Sequence, residues 1–179
     1  MDGPLFFRFF FCARLKEQLI HYSLNFKWLE LDHELWRVLG MTDNHREPFS
    51  LHANGAFVVR GQQILVHREP FTVYEPAALE SRIALAASQA GERAMEVAAV
   101  VSDLSSYLQF IRQEHELYQQ LKPGSLINIY PHELLCALLN KELRRANELA
   151  LARMQAGDSG GFSVNGKSLY ENALPFCRE

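Results

Sequence analysis

Cysteine is scarce in this chain: Cys12, Cys136 and Cys177 are an odd three, widely spaced and each set among apolar neighbours. That excludes a disulfide framework and predicts reduced, buried thiols in a reducing, cytoplasmic compartment. Excess basic charge is missing too. Lys and Arg number 18 against 21 Asp and Glu, a formal net charge of -3, whereas nonspecific nucleic-acid affinity needs clustered cations to neutralise phosphates. Nucleic acid is therefore not the expected partner, although a small local basic patch is compatible with these totals. Long apolar runs are absent as well. The stretch Leu5–Ala13 is interrupted by Arg8, follows Asp2 rather than a basic segment, and is too short to cross a bilayer, so a soluble chain without membrane association is expected. No glycine-rich phosphate loop of the P-loop or dinucleotide type occurs, which removes the commonest nucleotide-binding modes.

What the chain does contain changes character near Pro76. Nine of its 12 Phe residues precede that point, and Ala and Leu dominate after it. Aromatic and β-branched side chains suit a pleated, half-buried surface, and Ala and Leu lose little freedom in a helix. The fold class expected is α+β: an antiparallel sheet, mainly from the N-terminal half plus a C-terminal hairpin, covered by about three helices. One domain over 1–179 is expected, sheet-rich over 1–75, helix-rich over 76–156 and closed by a hairpin over 162–170.

Within the first part, Leu5–Ala13 is read as a strand because five Phe fall within Phe6–Phe11, although a four-residue spacing through Phe7, Phe11, Leu15 and Leu19 is also helical. Tyr22, Leu24, Phe26 and Trp28 alternate and share one face of a second strand. Asp32 is placed as the cap of a short helix that carries Leu35, Trp36 and Leu39 and stops at Gly40. Ala56–Val66 reads as a hairpin turning at Gly61, with one of Val58 and Val59 and one of Ile64 and Leu65 in the core. Phe71–Tyr74 is a further candidate strand.

Beyond Pro76 the period becomes helical. One helix is expected from Pro76 to Gly91, with Leu79, Ile83, Ala87 and Ala90 as its stripe, and a second from about Glu92 to Leu121. On that second helix Val97, Val101, Leu104, Leu108, Ile111, His115 and Tyr118 follow heptad spacing, while Tyr107, Phe110, Leu117 and Leu121 widen the apolar face beyond a coiled-coil seam. Tyr107, Phe110 and Leu117 are the candidate interface residues. A third helix opens at Pro131 with a stripe through Leu135, Leu139, Leu143, Ala146, Ala150 and Met154, and Asn165-Gly166 predicts a type I′ hairpin.

The motifs that could carry chemistry are weak. Gly157-Asp-Ser-Gly-Gly161 matches the letters around a serine-protease nucleophile, but it follows a helix and reads as a turn. His132 and Cys136 share a helix face at i,i+4 and are the only metal-like pair; two ligands do not make a site, so no metal and no cofactor are expected. Lys141, Arg144 and Arg145 are interrupted by Glu142 and Glu148 and resemble a solvated, ion-paired face. His45, His52 and His67 flank the central hairpin and are the candidates for general acid-base catalysis. The run Gly55–His67 resembles the opening hairpin of Nudix hydrolases, but the following helix lacks their Glu-rich metal signature, so that activity is not carried over. Without an assembled reactive site, and rich in aromatics that anchor interfaces, the chain reads as a noncatalytic protein-binding module such as an adaptor, a chaperone-like factor or a toxin-neutralising immunity protein. The alternative is a small metal-independent hydrolase or nuclease using the loop histidines.

Overall fold

The computed structural model describes residues 4–14, 16–45, 57–71, 76–121 and 128–178. The fold is α+β, and the chain divides into two compact units, Met1–Lys27 with Gly61–Ser106, and Trp28–Arg60 with Tyr107–Glu179.

The first unit is built on an antiparallel sheet in the order β1-β2-β3, with β1 at Leu5–Arg14, β2 at Leu19–Trp28 and β3 at Gln62–Pro70. The alternating apolar residues of β2 share one buried face, although Ser23 and Lys27 on the other face are buried as well. Tyr22, Leu24, Phe26 and Trp28 are all buried, and Ile20 extends the same face. Phe7 stacks on Phe26, and Phe9 and Phe11 contact Tyr22, so the odd residues of β1 lie on this face too. Over it packs α2, Pro76–Val100, where Ala86 joins Ile20, Tyr22 and Phe71, flanked by Phe11, Ala13, Leu65 and Leu79. Truncating Ile20, fully buried at the centre of this cluster, would cost about 2–5 kcal/mol.

Two expectations are corrected here. There is no hairpin at Gly61 among the described residues: β3 starts at Gln62 and pairs with β2, Tyr22 opposite His67 and Leu24 opposite Leu65. A bulge follows, since Asn25 faces Gln63 and Ile64 is left as the extra residue. Gly61 serves close approach rather than a turn, because a Cβ there would sit 2.9 Å from the carbonyl oxygen of Phe26. Val59 and Ile64 are nonetheless buried while Val58 and Leu65 are half-buried. Second, α2 does not stop at Gly91. It runs on to Val100, and the break falls at Val101–Asp103, after which Asp103 Oδ1 accepts from the Ser106 amide at 2.7 Å and starts α3, Leu104–Leu121. Of the expected Phe71–Tyr74 strand, Phe71 is buried and follows β3, and 72–74 lie outside the described residues.

The second unit is helical. The helices α1 (Glu30–Leu39), α4 (Tyr130–Leu139), α5 (Leu143–Gln155) and α6 (Leu169–Ala173) pack on one another, α4 against α1 and α5, and α6 against α1 and α5. Leu31, Leu35 and Trp36 of α1 and Leu134 and Leu135 of α4 are fully buried in this core. Asp32 is not a cap. It is a fully buried first-turn residue of α1 whose Oδ1 accepts from the Val59 amide at 2.7 Å. The expected third helix is two: α4 ends in Asn140-Lys141, where Lys141 takes a left-handed φ of 58° and the Lys141 and Glu142 amides return to Leu138 and Ala137. The C-terminal hairpin is present but short, β4 (Ser163–Val164) with β5 (Lys167–Ser168) turning through Asn165 and Gly166, both with positive φ, and it forms its own two-stranded ladder rather than joining the sheet. Ser168 and Glu171 then cap α6 reciprocally.

Candidate functional site

Of the three candidate histidines, His52 lies outside the described residues. His45 ends a 3-10 turn, Thr42–His45, in the second unit, where its ring stacks on His33 at 5.6 Å and lies 5.8 Å from Trp36. His67 is on β3 in the first unit, so these two do not assemble into one site within a unit. His67 has the richer surroundings. Its ring stacks on Tyr22 at 4.8 Å, its Nε2 is 3.4 Å from Glu69 Oε2, and Arg82 reaches Glu69 at 3.5 Å. The Tyr22 hydroxyl donates to Gln89 Oε1. Burial, and then the charge of Glu69, push the Tyr22 phenol above its ordinary value, with Arg82 opposing. An imidazole oriented by a carboxylate is thus present at the surface, but the hydroxyl beside it is already committed to Gln89 and kept protonated. Glu69 is close to His67 in sequence, two residues along β3, and Tyr22 reads from sequence only as a strand-face residue; the pairing of β2 with β3 brings Tyr22 to His67, and α2 supplies Arg82 and Gln89, which carry no sequence signal.

The pair His132 and Cys136 is buried in the second unit and used structurally. His132 Nδ1 lies 2.8 Å from Tyr107 Oη, both side chains being essentially inaccessible. The Trp28 backbone also bonds the phenol and stabilises its charged form, as a donating N–H does, which leaves the Tyr107 proton for His132. Burial holds the Tyr107 phenol well above its ordinary value and pushes the Cys136 thiol up to about 12, so neither is ionised near neutrality. Among the described residues no three His, Cys, Asp or Glu side chains are arranged to hold a metal ion.

The remaining motifs are also placed. Gly157-Asp-Ser-Gly-Gly161 is a turn: Gly157, Gly160 and Gly161 have φ near 70–79°, and Asp158 accepts from the Gly160 amide and from Tyr170. Lys141, Arg144 and Arg145 line a surface depression of about 500 Å³ together with Glu142 and Glu148, and Arg144 pairs with Glu148 at 3.0 Å. Of the candidate interface residues, Tyr107 is fully buried and is withdrawn from any surface, Phe110 is half-buried, and Leu117 is exposed.

The larger apolar surface lies elsewhere, on α2. Only Ala86, Ala90 and Val97 of its 25 residues are buried. Ile83 is 40% exposed, Leu85 50%, Met95 65% and Val100 59%, among Ala84, Ala87, Gly91, Ala98 and Ala99, which are exposed as well. The expected core stripe through Leu79, Ile83, Ala87 and Ala90 is corrected here: Ile83 and Ala87 are exposed, and the buried line runs through Ala86, Ala90 and Val97. Comparison with protein-family models, curated proteins and solved structures finds no match for this chain.

Proposed function

We propose that this chain is a noncatalytic protein-binding module of the adaptor, chaperone-like or toxin-neutralising kind, and that the exposed side of α2 is its docking surface. The observation that supports the reading is the exposure of Ile83, Leu85, Met95 and Val100 on one long helix. Isolated exposed apolar residues are ordinary, but at 100° per residue Leu85, Met95 and Val100 fall within about 140° on the side of α2 away from its buried stripe, with the small Ala99 between them, whereas Ile83 borders that stripe. Of the charges on the same helix, Arg93 pairs with Glu96 at 2.8 Å and Arg82 with Glu69 at 3.5 Å, which leaves Glu80 and Glu92 to favour a basic group on the partner.

The test is capture from native lysate with wild type, Leu85→Glu and Met95→Glu, followed by reconstitution of the retained protein from purified components. A partner retained by wild type and lost by both variants, with melting temperatures unchanged, supports the reading. Capture of the same partner at the same strength by all three proteins contradicts it. The hydrolase alternative rests on the His67–Glu69 contact and separates cleanly: it requires a turnover that His67→Ala abolishes, and the binding module does not.

A further inference from the structure

The sheet of the first unit has a second face, away from α2. Phe6 lies beneath the Lys27 ammonium and Phe10 meets His21, which places the even residues of β1 with the odd residues of β2 on this side. The register of β3 adds Val66, opposite Ser23, and Arg68, opposite His21. Towards the β1–β2 turn the surface is open: Phe10, Arg14, Val66 and Arg68 are all exposed, Phe10 by 42%, and exposed Arg8 precedes Phe10 on the same face.

The strand residues of this face carry no carboxylate. Neither β1 nor β2 contains a carboxylate, and the single one on β3, Glu69, stands opposite Ile20 and so on the α2 side. Glu80, Glu92 and Glu96 belong to α2. Arg14 is paired with Glu17 in the turn at 3.0 Å, but Arg8 and Arg68 make no ion pair among the described residues. Arg68 and Arg14 are close enough to His21 that, after burial, their charges disfavour its protonated form. The net charge of -3 does not reveal this patch, in which Arg8 and Arg68 stand on strands whose single carboxylate, Glu69, is on the other face.

We propose that this open end of the sheet binds single-stranded nucleic acid. Guanidinium groups on β1 and β3 accompany an exposed aromatic ring on one sheet face, and that combination matches a strand whose phosphates are anionic and whose bases are flat. An acidic peptide would satisfy the arginines but offers no ring to stack on Phe10. A duplex keeps its bases paired and inaccessible to such stacking. A sheet of this width accommodates about two or three bases, so affinity is modest and falls steeply with salt. This surface is distinct from the α2 surface, and each can fail without the other.

Fluorescence anisotropy of labelled oligo(dT) and oligo(U), of about a dozen nucleotides, tests it with the full chain at low and moderate salt. Binding of either oligonucleotide is the expected result. Phe10→Ala and Phe10→Leu should each weaken it about tenfold, the second keeping an apolar side chain while removing the stacking ring. Arg68→Ala should lower the slope of log affinity against log salt by about 0.7. Leu85→Glu should bind as wild type. Circular dichroism melts confirm that each variant is folded. The proposal is overturned if wild type binds neither oligonucleotide at low salt. It is equally overturned if Phe10→Leu and Arg68→Ala bind as wild type does, or if an oligo-Glu peptide or a duplex displaces the single strand at equal concentration.

Discussion

Replacing Tyr107 by Phe removes one oxygen from the core of the second unit and nothing else. The ring stays in place against Trp28, 6.1 Å away, and apolar burial is unchanged. What is lost is the hydroxyl that lies 2.8 Å from His132 Nδ1 and that the Trp28 backbone also bonds. Both groups sit where water does not reach, Tyr107 being 0% and His132 1% exposed. A buried polar group deprived of its partner costs about 1–3 kcal/mol, so two such groups place the total near 3 kcal/mol. For a chain of this size that lowers the melting temperature by about 6–12 °C. Urea unfolding followed by circular dichroism, with thermal melts, measures it; the midpoint should fall at an unchanged m value. A double-mutant cycle with His132→Leu should give a coupling of about 1 kcal/mol or more. A loss of less than about 0.5 kcal/mol in Tyr107→Phe, the range of ordinary surface substitutions, would refute the buried hydrogen bond as a stabilising element.

Gly160→Ala should destabilise more than Gly157→Ala or Gly161→Ala by urea titration: all three have positive φ, but only at Gly160 would a Cβ meet Leu169 at 3.0 Å and Tyr170 at 3.2 Å. Alkylation of the native protein at mildly alkaline pH, read by mass spectrometry, should label half-buried Cys12 before the buried Cys136 and Cys177. Because burial raises the folded Cys136 thiol from 9.0 to about 12, its contribution is intact below about pH 9 and is lost as pH rises towards 12, a decline that Cys136→Ala should reduce. Burial, then Arg68 and Arg14, lower the folded pKa of His21; stability should therefore fall as pH drops below the unfolded value of about 6.5, and His21→Asn should flatten that limb of the pH profile.

How much of this was readable from the residues depends on whether a single local pattern decided the outcome. The alternation through Tyr22, Leu24, Phe26 and Trp28 was legible because one face of β2 is buried along its length. Gly40 and Asn165-Gly166 were legible because each has a positive φ that those residues tolerate. Lys141 fulfils the same helix-ending role as Gly40 with the same hydrogen bonds, yet a Lys carries no such signal, so the break between α4 and α5 was invisible. Gly91 misled in the opposite direction. An exposed helix glycine costs only about 1 kcal/mol, and the real break is marked by Asp103 capping onto Ser106. The Gly61 hairpin failed because strand partners are chosen by tertiary contacts: β3 pairs with β2, and the Val59 amide is taken by Asp32, 27 residues away. The polar group around His67 was illegible for the same reason, being assembled from β2, β3 and α2.

The most direct test of the docking surface uses Met95, which is 65% exposed on α2, with half-buried Met41 and Met154 as internal references. Mild peroxide oxidation, quantified by mass spectrometry, compares the purified protein with the protein in native lysate. Rapid oxidation of Met95 is expected in the purified protein and selective protection in lysate, while the two references keep their rates, with protection abolished in Leu85→Glu. Equal Met95 oxidation in both settings would contradict a partner seated on α2.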